Sequence, residues 1–383
     1  MKERLEVRLA DRHVPRVVGH LLDIGHGAYF EYAPSFLAEG IELSPINLPT
    51  QRAAFPPGPP GLHRLRGLFY DALPDGWGLR VLHQRMRDAG VRPFDRSPVS
   101  WLRFLGVRGM GALTFHPERV RGASTPLGTV AELERHARQA QASDVDDLES
   151  ALKRAGGSSG GARAKVVVAY RDDGAVADPF LPLRKGFRHV LIKFAASRDA
   201  ATAPRLEGAY LDAAAEAGIV VPPHKVLALG RRRWALVVDR FDRVGDERRH
   251  VHSFAGLHEI DIQRDYASYD LLVRTTLRLT GDVREARQAW RLAAFNVLTH
   301  NRDDHARNVA FLMTPDGTWC LAPAYDLTCA EGAGGYHAMS IGGESRAPGR
   351  AHLMALAELA LMPGDEAAAE WKAMVRIARA VRP

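Results

Sequence analysis

The feature that most constrains this chain is a polar segment that is followed by a β-hairpin pattern and then by a second acidic turn. The segment, HNRDDHARN, carries Asp303 and Asn308, and the turn, LAPAYDLT, carries Asp326. Between them the apolar runs VAFLM and TWCLAPA flank TPDG, a pattern that predicts two antiparallel strands joined by a tight turn. Such a hairpin would return the chain so that Asp326 faces Asn308 across a shared site.

These three side chains, in this order, are suited to phosphoryl transfer. One carboxylate accepts the proton of the acceptor hydroxyl, while an Asn and an Asp hold the Mg²⁺ ions that bridge the phosphates. Asp303 and Asn308 also have the D-x-x-x-x-N spacing of a protein-kinase catalytic loop. The spacing alone is a weak signal, because Asp and Asn are common in turns of every kind. Other parts of the chain must therefore support the hypothesis.

The composition is that of an ordinary globular protein. Of its 383 residues, 46% are apolar and 25% are charged, and this length accommodates two domains or one large two-lobed domain. Its two cysteines, Cys320 and Cys329, are too few for a disulfide framework, and the N-terminus has no signal-peptide apolar core. No apolar run reaches the ~20 residues that a membrane span needs. We therefore expect a cytoplasmic protein with no membrane attachment.

The net charge favours an acidic partner without identifying one. The formal charge is +7, and the basic residues are mostly scattered arginines with one compact run at Arg231–Arg233. A general bias towards Ala and Arg would produce the same excess. The sequence has no zinc-finger, basic-zipper or helix-turn-helix signature. Charge alone therefore leaves contact with nucleic acid open.

The pattern of apolar runs divides the chain into three parts, at residues 1–120, 121–242 and 243–383. The first part is rich in Gly and Pro, with short alternating runs and one helix around residues 68–87, which indicates a small α+β module. A charged helical pattern over residues 129–154 leads into the second part.

A strand lysine suggests that the second part is a nucleotide-binding lobe. Lys193 lies in HVLIKF among apolar residues, where a charge is costly unless an anion is near it. The alternative is a lysine on a sheet edge whose ammonium group reaches solvent. Glu207 lies in the first turn of a helical pattern, LEGAYLDAAAEAGI, that ends at Gly218. It could pair with such a lysine or simply serve the helix dipole.

Two further segments fit the same lobe. The glycine-rich turn at residues 156–161 would let backbone N–H groups approach phosphates, with Arg163 and Lys165 adding positive charge. It matches neither the Walker A pattern nor the kinase glycine loop, so it is a weak signal alone. WALVVDRFDR predicts a strand that runs into a connector, and the backbone near Asp239–Phe241 would contact an adenine ring. The order of all these elements predicts a phosphotransferase.

Several motifs together resemble those of the HipA-type serine/threonine kinases, the toxins of bacterial type II toxin–antitoxin systems. EYAPSFLAEGIELSPINLP, GLFYDALPDGWG and FLGVRGMGALTFHP are similar to the N-terminal domain of that family. SSGGARAK, HVLIKF, VVDRFDR, HNRDDHARN and LAPAYDL are similar to its kinase motifs. The resemblance spans nearly the whole chain. It implies an α+β fold in which a two-lobed protein-kinase-like domain is preceded by a small β-rich N-terminal domain.

The resemblance also implies the roles of individual residues, with ATP and Mg²⁺ as cofactors. Asp303 would be the catalytic base, with Asn308 and Asp326 completing the catalytic set as Mg²⁺ ligands. The ATP-binding residues would be Ser159, Gly160, Gly161, Ala162, Arg163, Ala164, Lys165, Lys193, Asp239, Arg240, Phe241 and His305. Within that set we assign His305 to shaping the loop, because Mg²⁺ prefers oxygen ligands.

The resemblance further implies regulation and partners. In the family, the serine that opens the glycine-rich loop is autophosphorylated, which switches the kinase off. Counting back from Lys165 places that role on Ser158, although Ser159 follows directly. The implied partners are a HipB-like helix-turn-helix antitoxin, operator DNA bound through the toxin–antitoxin complex, and a protein substrate of the aminoacyl-tRNA synthetase class, in particular glutamyl-tRNA synthetase.

Three other interpretations compete with this one. A small-molecule phosphotransferase, such as an antibiotic or sugar kinase, would need the same Asp-Asn-Asp set but would not explain the N-terminal resemblance. A catalytically silent repressor subunit would not need the complete catalytic set that this chain carries. A binding module that uses no nucleotide would leave the apolar setting of Lys193 unexplained.

Overall fold

The computed structural model describes residues 4–74, 76–92, 97–118, 127–142, 164–195 and 202–381. The chain forms two compact units. The first comprises Met1–Arg205 and Pro223–Val251, and the second comprises Leu206–Pro222 and His252–Pro383. None of the helices within the described ranges is long and apolar enough to cross a membrane.

The first unit begins with a five-stranded antiparallel sheet. In spatial order its strands are Ala54–Phe55, Ala28–Tyr32, Arg16–Asp23, Arg4–Leu9 and Leu113–His116. Leu5, Val7 and Leu9 alternate with more exposed residues and are fully buried, so one face of this sheet packs on the core.

The prediction of a single helix around residues 68–87 is wrong, because the structure has two helices there, Gly67–Tyr70 and Gly76–Asp88. The helices of this region are Pro34–Leu37, Gly67–Tyr70, Gly76–Asp88 and Pro98–Leu105, with a short 3₁₀ turn at Pro60–Leu62. The chain leaves the helical conformation before Pro74, since a proline disfavours helical backbone at the residue before it. Ser97 caps the last of these helices by accepting a 3.1 Å hydrogen bond from the Ser100 N–H.

A second five-stranded sheet completes the first unit. In spatial order its strands are Val176–Ala177, Lys165–Tyr170, Arg188–Phe194, Arg233–Asp239 and His224–Gly230, and all of its neighbouring pairs are antiparallel. The strands expected from HVLIKF and WALVVDRFDR are confirmed. A short hairpin of Arg243–Val244 and Glu247–Arg248 follows the sheet, and the strand His250–Ser253 leads from the first unit into the second.

One helix packs on this second sheet. Of the helical pattern at residues 129–154, the structure describes a helix at Val130–Ala142, and the remainder lies outside the described residues. Leu133 and Ala137 of the helix belong to the same apolar cluster as Val168 and Ile192 of the sheet. The helix begins with a capping box, because the Thr129 N–H donates to the Glu132 carboxylate at 2.7 Å and the Glu132 N–H donates back to the Thr129 hydroxyl.

The second unit is mostly helical. Its helices are Phe254–His258, Tyr269–Thr280, Val283–Thr299, Arg350–Leu359 and Gly364–Val381, and the helix Ala203–Glu216 enters the unit at Leu206. Gly281, with a φ of 65°, supplies the left-handed residue that lets two of these helices follow each other closely. Trp290 is fully buried, and its indole N–H donates to the Leu353 carbonyl at 2.7 Å, so the last helices pack tightly together.

The hairpin expected after Asn308 is confirmed. Ala310–Met313 pairs antiparallel with Trp319–Leu321, in a register that places Phe311 opposite Leu321. The two-residue strands Ala267–Ser268 and Met339–Ser340 pair in parallel, and short 3₁₀ turns lie at Ala306–Asn308 and Ala333–Gly335. The α+β class predicted from the sequence is therefore confirmed, with sheets concentrated in the first unit and helices in the second.

Candidate active site

The polar segment at residues 300–308 lies directly after the helix Val283–Thr299. The helix ends at His300, whose left-handed φ of 57° turns the chain, and the Asn301 N–H then donates back to the Asn296 carbonyl at 3.0 Å. Ala306–Asn308 forms a 3₁₀ turn that leads into the hairpin. Both ends of the segment are thus fixed by regular structure, which holds the polar residues between them in one arrangement.

The structure brings Asp303 and Asn308 together. The Asn308 side-chain Nδ2 donates to the Asp303 backbone carbonyl at 2.9 Å, and the Asn308 N–H donates to the His305 carbonyl at 2.8 Å. Since two acceptor oxygens repel each other, the bonded carbonyl fixes which end of the amide faces it. The Asn308 Oδ1 is therefore turned towards the other side, where it is suited to a hard cation. Asp303 itself is exposed, as a group that meets a second substrate must be.

Asp326 has an unusual backbone conformation. Its φ of 55° lies in the left-handed region, which Asp tolerates better than most residues but which still costs on the order of 1 kcal/mol. The residue before it fixes the segment, because the Tyr325 hydroxyl donates to the Arg307 carbonyl at 2.8 Å. The residues that precede Asp326 and Asn308 are thus bonded to each other.

A buried carboxylate behind the segment was missed by the sequence analysis. Asp304 is 2% exposed, and it accepts hydrogen bonds of 2.8 Å from both the Tyr269 hydroxyl and the Ala338 N–H. His337 Nδ1 lies 2.9 Å from the same carboxylate. The signal in the sequence was the Asp-Asp pair, since adjacent residues of a loop point in different directions and one carboxylate faces solvent while the other faces inward.

The network continues into the helix that carries the loop. Asn296 Nδ2 donates to the Tyr269 hydroxyl at 2.8 Å, and Asn301 Nδ2 donates to Asn296 Oδ1 at 3.0 Å. Burial, together with the negative charge of Asp304, raises the pKa of Tyr269 well above its ordinary value. The hydroxyl therefore stays protonated and remains a donor. These hydrogen bonds hold the loop on its buried side, where Asp304 lies, whereas Asp303 is exposed.

The assignment of His305 to shaping the loop stays a prediction, and the structure places the residue at the start of a 3₁₀ turn. It occupies the N-cap position of the 3₁₀ turn, and its backbone carbonyl accepts the Asn308 N–H. Its ring Nδ1 is buried and has no hydrogen-bond partner among the described residues. Such an atom is costly to leave unsatisfied, which makes it a candidate for a contact with a bound ligand.

In the first unit, Lys193 and Lys165 lie directly opposite each other. Lys193 belongs to Arg188–Phe194, an interior strand with neighbours on both sides, and it pairs with Lys165 in the antiparallel register. Paired residues of antiparallel strands point to the same face, so the two side chains are neighbours. They are 8% and 5% exposed, respectively. The interpretation of Lys193 as a sheet-edge residue reaching solvent is therefore wrong.

Two lysines that point to one face of a sheet place two positive charges side by side, an arrangement suited to binding an anion. The same end of the sheet carries Ala164, whose carbonyl accepts the Phe194 N–H at 3.0 Å. The residues predicted to form the phosphate loop, Ser158, Ser159, Gly160, Gly161, Ala162 and Arg163, lie outside the described residues. The lysine pair is suited to hold the phosphates that this loop is predicted to cover.

The connector after the strand Arg233–Asp239 is firmly bonded. The Asp239 N–H donates to the Pro223 carbonyl at 2.8 Å, and the Arg240 N–H donates to the His189 carbonyl at 3.0 Å. The Asp239 carboxylate accepts from Arg188 Nε at 2.8 Å. An adenine contact in the predicted segment Asp239–Phe241 would therefore not use those two N–H groups.

Glu207 lies one turn further into its helix than the sequence predicted. The helix begins at Ala203, so Glu207 is its fifth residue, and the first turn carries no acidic residue. Glu207 is also buried, which argues against a carboxylate that only serves the helix dipole. Lys193 and Glu207 belong to different units.

The donor set fits a magnesium–nucleotide complex better than a metal held by protein alone. Mg²⁺ in such complexes is bound by one or two protein oxygens, with the phosphates and water supplying the rest. Asp326 and Asn308 are such a minimal set. Within the part of the chain that the structure describes, no cluster of three or more His, Cys, Asp or Glu side chains could hold a metal ion.

Comparison with known proteins identifies the family. The HipA N-terminal domain family matches residues 5–116, and the HipA-like C-terminal domain family matches residues 157–382, which include every residue of the candidate site. Among curated proteins, none matches this chain.

A solved structure has the same fold. It is a chain of the Shewanella oneidensis MR-1 toxin–antitoxin system complex of HipA, HipB and operator DNA. The similarity has a TM-score of 0.70 at 20% sequence identity, and it covers 98% of this chain and 89% of that one. The predicted kinase-like architecture with an N-terminal domain is confirmed, and this chain belongs to the HipA family.

Proposed function

We propose that this chain is a serine/threonine protein kinase and the toxin of a type II toxin–antitoxin system. The observation that carries the proposal is the bond between the Asn308 side chain and the Asp303 carbonyl, on a loop anchored by Asp304. It joins a candidate base and a candidate metal ligand in a single rigid element. Family membership supports the same function, because the family match covers both residues.

Each residue of the site has a stated role in this proposal. Asp303 accepts the proton of the acceptor hydroxyl, and its exposure allows a protein substrate to reach it. Asn308 and Asp326 would hold Mg²⁺ through their side-chain oxygens. Bound ATP with Mg²⁺ supplies the γ-phosphoryl group and the positive charge that neutralises it. Asp304 and Tyr269 keep the loop in place while the acceptor enters.

Residues of the first unit would bind the nucleotide. Lys193 and Lys165, which lie opposite each other, would hold the phosphates through their positive charges. Arg163 adds charge from the glycine-rich loop, whose residues from Ser159 onward contribute backbone N–H groups. Asp239–Phe241 would border the adenine.

We also propose the partners of the chain. The similar Shewanella protein is part of a complex with HipB and operator DNA, which suggests a HipB-like helix-turn-helix antitoxin and an operator for this chain. The formal charge of +7 would favour contact with DNA within such a complex. The proposed substrate is a protein of the aminoacyl-tRNA synthetase class in a reducing cytoplasm.

The proposed kinase regulates itself through its glycine-rich loop. Phosphorylation of Ser158, or of Ser159 beside it, adds about −1.5 to −2 charge to a loop that must receive ATP phosphates. The added charge repels nucleotide and attracts Arg163 or Lys165 away from it. The modified loop would therefore prevent a second round of transfer.

One experiment separates this proposal from its competitors. Purified protein is incubated with labelled ATP and Mg²⁺, alone and with a bacterial lysate, beside the Asp303→Asn variant. A protein kinase labels itself and at least one lysate protein, and the variant labels neither. Label in small metabolites only would indicate a small-molecule phosphotransferase. No transfer by the wild type, together with intact operator binding alongside the antitoxin, would indicate a silent repressor subunit.

A further inference from the structure

A fully buried carboxylate, that of Asp242, comes directly after the proposed adenine-binding connector Asp239–Phe241. Asp242 is 0% exposed and accepts two hydrogen bonds from Arg240, of 2.8 Å from Nε and 2.6 Å from Nη2. Arg243 donates a third bond to it, of 2.6 Å from Nη1. Of the connector residues, Arg240 belongs to this cluster through its side chain, and Phe241 directly precedes Asp242 in the sequence.

The same carboxylate contacts residues 5–116, the part of the chain that matches the HipA N-terminal domain family. The Gly111 N–H donates to Asp242 at 2.7 Å, and Arg243 donates to the carbonyls of Gly111 at 3.1 Å and Gly109 at 3.4 Å. Arg248 donates to the Val107 carbonyl at 2.7 Å. The backbone of the loop at residues 107–111 therefore bonds to the side chains of Asp242, Arg243 and Arg248, which follow the connector.

The charges of the buried side chains make it costly to separate the 107–111 loop from Asp242, Arg243 and Arg248. Burial alone would raise the pKa of Asp242, but Arg240 and Arg243 outweigh it and lower that pKa below its ordinary value. Burial lowers the pKa of Arg248 to about 10, which leaves it charged at neutral pH. A buried charge that loses one partner cannot turn to water instead, so the connector and the loop must move together or not at all.

A second contact supports the same coupling. The Arg108 guanidinium lies 4.4 Å from the ring centroid of Phe180, which belongs to the segment between two strands of the lysine-bearing sheet. Gly111 has a left-handed φ of 75°, and a Cβ there would lie 3.0 Å from the Val251 N atom. The 107–111 loop is thus held from both sides by the sheet and by the segment after the connector.

We propose that Asp242 is a positioning residue that holds the Asp239–Phe241 connector in its nucleotide-binding conformation through the 107–111 loop of the N-terminal domain. Nucleotide binding is then coupled to that loop, and any partner that displaces the loop weakens nucleotide binding. By linkage the coupling is reciprocal, so nucleotide must also stabilise the loop. The inference rests on the proposed function in one respect, namely that the connector borders the nucleotide.

Calorimetry of ATP binding in the presence of Mg²⁺ tests the proposal on the full-length protein. Asp242→Asn keeps the shape of the side chain but removes its charge, and we expect the Kd for ATP to rise by about tenfold, within the usual range for coupled sites. Arg243→Lys keeps the positive charge but loses the fork that reaches Gly109 and Gly111, and it provides the same readout should Asp242→Asn fail to fold. The control is Asp173→Asn, whose exposed carboxylate pairs with Arg171, and its Kd should equal that of the wild type.

The outcomes distinguish the two levels of inference. A wild type that binds no ATP overturns the proposed function and this inference with it. A wild type that binds ATP, with folded variants that have unchanged Kd and only a lower Tm, overturns the positioning role alone.

Hydrogen exchange measures the coupling in the reverse direction, from nucleotide to the loop. ATP should slow exchange of the Gly111 amide in the wild type and should have little effect there in Arg243→Lys.

Discussion

The side-chain amide of Asn308 donates to the backbone carbonyl of Asp303, with 2.9 Å between the two atoms. This bond spans the D-x-x-x-x-N interval and converts a sequence spacing into a fixed distance between a carboxylate-bearing residue and an amide oxygen. The bond is made to the backbone carbonyl of Asp303 and does not involve its carboxylate. A base and a metal ligand can thus be aligned by the loop itself, before any ligand binds.

The first prediction concerns Asp303. Asp303→Asn should leave the Asn308 bond intact, since that bond uses the backbone, and should leave nucleotide affinity within about twofold. Autophosphorylation should fall by at least about 100-fold, because a general base contributes that much or more. The matched control is Asp316→Asn, an exposed carboxylate in the turn of the adjoining hairpin. Retention of more than a few per cent of wild-type transfer by Asp303→Asn would remove Asp303 from the role of base.

The second prediction concerns the lysine pair. Lys193→Ala and Lys165→Ala should each weaken ATP binding by about tenfold or more, because each removes a cation next to the phosphates. Lys225→Ala is the control, since Lys225 lies on the edge strand of the same sheet with its side chain 47% exposed. Normal ATP affinity of Lys193→Ala would show that the pair does not bind phosphate.

Apolar periodicity made much of the fold predictable, but not the pairing of distant residues. The strands around Val168, Lys193 and Val237 follow from apolar runs, whereas the register that places Lys165 opposite Lys193 depends on tertiary packing. The break before Pro74 was overlooked because the helical pattern continues on both sides of it. Residues of the catalytic loop were recognisable from their spacing. Their anchor, Asp304 with Tyr269, was not, since it joins residues far apart in sequence.

The third prediction concerns that anchor. Tyr269→Phe removes the hydroxyl that donates to Asp304 and accepts from Asn296, and it leaves each of these buried partners with one hydrogen bond fewer. The free energy of unfolding should fall by about 1–3 kcal/mol, as measured by urea denaturation. Tyr266→Phe provides the control, because Tyr266 is 100% exposed and its hydroxyl should contribute less than about 0.5 kcal/mol. Equal stability of the two variants would mean that the Asp304 network does not hold the loop.

The fourth prediction is a pH dependence of stability. Burial, followed by the charges of Arg240 and Arg243, lowers the pKa of His189 to about 4. Between pH 4 and an unfolded value of about 6.5, the unfolded chain binds a proton at this site that the folded chain does not. Stability must therefore fall as the pH falls through this window. His189→Gln should flatten the decline by up to about 1 kcal/mol per pH unit in urea denaturation. An unchanged slope would show that His189 is protonated in the fold.

The last prediction concerns self-inhibition. Incubation with Mg²⁺ and ATP should add one phosphate at Ser158 and yield a protein that no longer binds nucleotide, because the new charge lies where phosphates must enter. The glycines at 156, 157, 160 and 161 permit the loop to change conformation without a Cβ penalty. Ser158→Ala and Ser159→Ala form a matched pair, and the variant that remains active after the incubation identifies the switch. We expect it to be Ser158→Ala. Phosphate found by mass spectrometry only outside residues 156–165 would contradict the switch and leave the kinase assignment in place.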